Sequence, residues 1–171
     1  SGAWVIMLVV QSWLVRAGNV ALHRRLGITG FAIAVGVTLS TIWVFIAVWK
    51  GWAAMTPEVR ANRLLLPSFA LFVAYAYAQR RRPDWHKRLI FVGTFFMLEP
   101  VLARCYDPLL VPLMRGMTTT QVDDAFLPVL FAAWLAFFVS LIVHDLLTLR
   151  HIHRVSAVAL LWFGGVWGLV A

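Results

Sequence analysis

Apolar residues fill this chain in long blocks, and its polar residues gather in short clusters between them. A helix that crosses a hydrocarbon layer needs about 20 mainly apolar residues. The blocks that meet or approach that length are residues 3–22, 28–49, 57–79, 87–106, 125–146 and 154–171. The separators are Asn19 to Arg25, Lys50-Gly51, Arg80-Arg81-Arg82-Pro83-Asp84, a loop from Asp107 to Asp124, and Arg150 to Arg154. This alternation predicts an all-α protein: a polytopic transmembrane helix bundle of about six spans, arranged as three helical hairpins in a single transmembrane domain.

The punctuation inside the pattern agrees with helices. Thr56-Pro57-Glu58 is a start signal, with a capping residue, a proline suited to the first turn and an acid at the positive helix end. Pro83 in the arginine turn keeps the third helix from continuing, the fourth span is expected to start near His86, and Pro67 is expected to kink the third, which a membrane bundle tolerates. Gly30 and Gly36 offer small surfaces for close helix contact in the second span. Trp43, Trp49 and Trp52 fit an interfacial aromatic belt. The first block lacks a preceding basic region and a following small-residue cleavage site, so it reads as a span and not as a cleavable signal peptide.

Composition supports a lipid solvent. Hydrophobic residues make up 62% and charged residues 13% of the 171 positions, against roughly half and a quarter in soluble domains. The net charge of +8 is also one-sided. The turns after spans one, three and five hold ten Lys and Arg against two acids, whereas the rest of the chain holds five against five. An excess of Lys and Arg marks the cytoplasmic side. The expectation is a bacterial inner (cytoplasmic) membrane protein, its basic turns and histidines facing the cytoplasm. Its first partner is the lipid bilayer. The basic charge then belongs to topology and anionic lipid, not to nucleic acid.

A short pattern, H-[RK]-R-L-x-x-x-G, occurs twice, as His23 to Gly30 and His86 to Gly93, and each copy opens an apolar block. A fainter third copy, His153-Arg154, opens the last one. All five histidines, His23, His86, His144, His151 and His153, fall on the basic side. If spans two, four and six are neighbours, His23, His86, His144 and His153 are the candidate cofactor ligands, because imidazole ligates haem iron, zinc or non-haem iron. The plainer reading is that each histidine sits at a wet interface beside arginines. Those arginines would repel a bound cation unless Asp84, Asp145 or haem propionates offset them. The spacing of a helical zinc protease is missing, and a lone Cys105 excludes a multi-cysteine metal site.

Glu99 is the second candidate. At about 1.5 Å per residue it lies roughly 15 Å beyond Leu89, near the middle of a roughly 30 Å core, where an ionised carboxylate needs a partner, a proton or water. Arg104 is five residues on and could reach a shared cavity. Gln11, Asn19 and Thr94 are further partners by polarity alone. The 12 Phe, 9 Trp and 3 Tyr could also hold quinone, pigment or lipid tails, although aromatic residues are common in bundles. No catalytic triad or phosphate loop is visible.

Leu14 to Gly27, His86 to Leu89, and His144-Asp145 followed by His153 resemble the signature of a bacterial six-helix integral membrane family. That family shares H-R-R-L-G and H-K-R-L motifs and implies no activity. A looser similarity is to small haem-binding bundles of the cytochrome b type. The functional expectation is a non-enzymatic accessory subunit packing on other subunits of a photosynthetic or respiratory membrane complex. The alternative is a redox protein that handles b-type haem or quinone, and a weaker alternative is a proton-coupled transporter using Glu99.

Overall fold

The computed structural model describes residues 2–170. Among them the chain is helical, with no strand. The helices are α1 (Gly2–Arg16), α2 (Val20–Ala47), α3 (Pro57–Ala78), α4 (Pro83–Phe96), α5 (Glu99–Cys105), α6 (Thr119–Leu149) and α7 (Arg154–Val170). Short 3₁₀ and π turns fill Trp52–Ala54 and the stretch from Tyr106 to Leu113.

Local chemistry sets the boundaries, and several differ from the sequence expectation. Asn19 to Arg25 is not a turn. Asn19 accepts the Leu22 N–H at 3.1 Å and starts α2 at Val20, so His23, Arg24 and Arg25 ride on helix. The turn itself is shorter, with Gly18 at φ +76°, a conformation glycine adopts without strain. α6 starts earlier than expected because Thr118 and Gln121 form a reciprocal capping box. It continues through His144-Asp145 to Leu149 and stops at Arg150 in the left-handed conformation.

The expected fourth span is not one rod. Pro100 has no N–H for the carbonyl four residues back. The Met97 and Leu98 N–H groups turn instead to Thr94 and Phe95. The segments on either side of this break meet at a 50° bend.

The α3–α4 hairpin lies at the centre. α7 packs on both of its helices and on α6, while α2 reaches α3 and carries α1 with it. One core, containing Leu65, Leu89, Phe96, Trp134, Phe138 and Phe163, joins α3, α4, α6 and α7. A smaller core of Trp4, Ala34, Phe69, Val73 and Met97 seats the α1–α2 hairpin.

α2 and α6 are long and apolar enough to cross a membrane, and the bent α4–α5 pair would be a third crossing if it is a single span. Of 28 residues in α2, only Gly30 and Ala34 are buried. A helix that apolar and that exposed is compatible with a lipid surround.

The two repeat glycines explain why the motif recurs. A Cβ on Gly30 would lie 3.3 Å from Met7 Cγ in α1, and one on Gly93 would lie 3.2 Å from Val73 Cγ2 and 3.3 Å from Phe72 Cβ in α3. Each glycine therefore lets the second helix of a hairpin close on the first. Gly36 has no such neighbour within 4 Å, so its expected contact role is not seen. The repeat histidine precedes its glycine by seven residues, about two helical turns, and so looks toward the same partner helix.

Candidate functional site

The histidine-bearing ends of α2, α4 and α7 come together. The ring centres of His23 and His86 are 6.4 Å apart, with the planes at 84°. Both side chains are partly buried. His86 Nδ1 lies 2.8 Å from the Ala76 carbonyl in α3. A carbonyl only accepts, so Nδ1 donates and Nε2 is the free ring nitrogen. His23 Nδ1 and Gln11 Oε1 are shielded from solvent and have no partner.

That spacing has a chemical meaning. A metal–nitrogen bond of about 2.0–2.1 Å sets an imidazole centre about 3.2 Å from the ion, so two imidazoles on opposite sides of one ion have centres about 6.4 Å apart. The ring centres of His23 and His86 are separated by that distance. An orphaned ring nitrogen on one side and a carbonyl-oriented imidazole on the other also suit two-ligand binding, because ligating histidines usually donate their second nitrogen to such an acceptor. Among the described residues, no cluster of three or more His, Cys, Asp or Glu could hold a metal ion. Two imidazoles are fewer protein ligands than a structural zinc site uses.

The other histidines have different surroundings. His153 packs edge-on against Trp85, with centres 5.3 Å apart. Its Nδ1 accepts the Val155 N–H at 3.2 Å, so this third motif copy works as a helix-start cap for α7. Burial first, and then the Arg88 charge, hold His153 below the ordinary imidazole value; Asp145 and Asp84 pull the other way. The side chain of His144 is 58% exposed. It does not join the His23–His86 pair, because α6 turns its neighbour Asp145 inward. His151 is exposed as well.

The most buried polar network was not foreseen as such. Asp145 Oδ1 accepts from Arg88 Nε at 3.0 Å and Nη2 at 2.8 Å. Its Oδ2 accepts from the His153 N–H at 3.1 Å and from Ser156 Oγ at 2.5 Å. One carboxylate thus joins α4, α6 and α7 just beneath the histidines. Arg88 belongs to the H-K-R-L motif, whereas its repeat counterpart Arg25 is exposed. The shared R therefore has two different roles.

Glu99 is 5% exposed and accepts a hydrogen bond from Asn62 Nδ2 of α3. The expected partners lie elsewhere. Arg104 is exposed and donates to the Pro100 carbonyl at 3.1 Å, Thr94 accepts from Trp4 Nε1 at 3.1 Å, and Asn19 caps α2. Asn62 lies between Arg60 and Arg63 in the polar first turns of α3, and no local signal set it apart.

Comparison with protein families, curated proteins and solved structures finds no match. The site is therefore read from its own geometry.

Proposed function

We propose that this chain is a membrane-embedded redox protein in which His23 and His86 would hold a b-type haem. All six helical units, counting the bent α4–α5 pair as one, cross the bilayer as three hairpins of one domain. The histidine end faces the cytoplasm of a bacterial inner membrane. The observation that carries this reading is the 6.4 Å separation of the two imidazole centres, which brings two candidate ligands within reach of a single metal ion.

Bound there, the haem supplies a one-electron couple. The chain supplies its setting. The Ala76 carbonyl fixes the His86 tautomer and leaves Nε2 free. Gly30 and Gly93 close each hairpin below its histidine. Arg24 and Arg25, exposed beside His23, are cations of the kind that pair with carboxylate groups at a membrane surface. The test is an absorbance spectrum of the haem-supplied, purified protein, oxidised and reduced. A Soret band and reduced bands that disappear in His23→Ala and His86→Ala support the proposal. A featureless spectrum in fully supplied wild-type protein overturns it.

A second reading rests on a different observation. α2 exposes Leu39, Trp43 and Ile46 to 62%, 73% and 68%, an apolar face suited to another membrane subunit as well as to lipid. On that reading the chain is a non-enzymatic accessory subunit of a larger photosynthetic or respiratory complex. Isolation from mild detergent as a partner-free monomer would count against it.

A further inference from the structure

Away from the histidines, at the other end of α2, a cleft opens between α2 and the first turns of α3. Its walls are Ile42, Phe45, Ile46, Trp49 and Arg63. The Arg63 guanidinium carbon lies 4.8 Å from the ring centres of both Phe45 and Trp49, a cation held by two aromatic faces. Nη1 donates to the Phe45 carbonyl at 2.9 Å, one of the carbonyls a helix C-terminus leaves without an intrahelical partner. Nε reaches Met55 Sδ at 3.0 Å. Nη2 is shielded from solvent and has no partner.

Capping α2 accounts for Nη1 but not for the rest of the group. A buried, charged N–H left unpaired is costly, and no acid pairs with Arg63: among the described residues the ion pairs involve only Asp84 and Asp145. Glu58, the nearest acid along α3, is five residues back and so about 140° around the helix. The cleft therefore presents a positive charge with no counter-ion, beside an apolar wall on which Ile42 and Ile46 are 48% and 68% exposed. Trp49, which lines it, is 58% exposed, and Trp43 and Trp52 at this end of the chain segment are 73% and 42% exposed; such indoles settle at headgroup level.

We infer that this cleft binds one anionic phospholipid, its phosphate paired with Arg63 and an acyl chain lying over Ile42 and Ile46. The lining carries one positive charge and no carboxylate, so a headgroup with net negative charge is preferred over a zwitterionic one. The inference rests on α2 and α3 being membrane helices and is independent of the haem.

The experiment is native mass spectrometry of the full chain in detergent, titrated with phosphatidylglycerol or phosphatidylcholine. Wild type retains one phosphatidylglycerol in preference to phosphatidylcholine. Arg63→Gln weakens that retention about tenfold, the loss of one charge-assisted contact. Ile46→Ser, at an exposed position that leaves the fold intact, weakens it less. Equal retention by wild type and Arg63→Gln overturns the inference. If Arg63→Gln fails to fold, Ile46→Ser decides, and unchanged retention there overturns it. Displacement of the lipid by millimolar inorganic phosphate would also overturn it, marking the cleft as a site for soluble anions.

Discussion

Arg88 of α4 and Asp145 of α6 form an ion pair inside the bundle, Nη2 to Oδ1 at 2.8 Å, with side chains 3% and 0% exposed. A buried pair resists the loss of either partner more than its net contribution suggests, because the survivor is left charged and unpaired. Asp145 also holds the His153 main chain and Ser156, so the pair fixes how α7 meets α4 and α6. Arg88→Met or Asp145→Asn alone is expected to destabilise the fold by about 3–5 kcal/mol. The double variant should fall short of the sum by about 0.5–3 kcal/mol. Thermal unfolding of the four proteins in detergent measures this, and strictly additive losses would contradict a coupled pair.

The repeat glycines should differ from Gly36 of α2. Gly93→Ala pushes a methyl group against Val73, Phe72 and the Phe69 carbonyl, all within 3.5 Å of the new Cβ. The expected loss is about 1–3 kcal/mol, typical of overpacking. Gly36→Ala meets nothing within 4 Å and removes the helix penalty of glycine, a gain of about 0.5–1 kcal/mol. Unfolding temperatures that moved the same way for both would argue against close packing at Gly93.

His153 gives stability a pH dependence of known sign. Burial, reinforced by Arg88, lowers its folded-state pKa below the ordinary imidazole value. The unfolded chain therefore binds the proton more readily. The His153 contribution is fully present above about pH 6.5 and is lost as pH falls toward the lowered folded-state value. Protonation also removes the Nδ1 lone pair that caps Val155. Melting temperature should drop more steeply below pH 6.5 in wild type than in His153→Asn. Parallel profiles would remove His153 as the cause.

At Glu99, hydrogen bonding predicts an order among variants. Glu99→Gln keeps an acceptor for Asn62 Nδ2 and adds a donor for Asn62 Oδ1, which has no partner; it should stay near wild type. Glu99→Leu leaves the Asn62 amide unpaired and should cost about 1–3 kcal/mol. A thermal shift series reads the order directly. If Glu99→Gln unfolds earlier than Glu99→Leu, the carboxyl has a role other than holding Asn62.

The helices were legible because lipid-length apolar blocks and proline and threonine signals act locally, whereas the Asn19 cap that starts α2 reads as a turn. Each of the six expected blocks overlaps helix. What stayed hidden depended on contacts across the bundle. Nothing near Arg88 distinguishes it from Arg25, yet one is buried against Asp145 and the other faces out. Asn62 and Glu99 are 37 residues apart, so their pairing required knowing that α3 and α4–α5 run antiparallel. The histidine repeat was visible as a pattern. That His23 and His86 approach, while His144 turns outward and His153 caps α7, follows from helix phase, which blocks apolar on most faces do not encode.

The central claim is that His23 and His86 hold one haem between them. The most direct measurement is the reduced-minus-oxidised absorbance spectrum of haem-supplied wild-type, His23→Ala, His86→Ala and His144→Ala proteins, each shown to be folded. The account predicts a b-type signal in wild type and in His144→Ala, and its loss in each of the other two. A signal that survives both the His23 and the His86 substitutions, or none in any of the four, would contradict it.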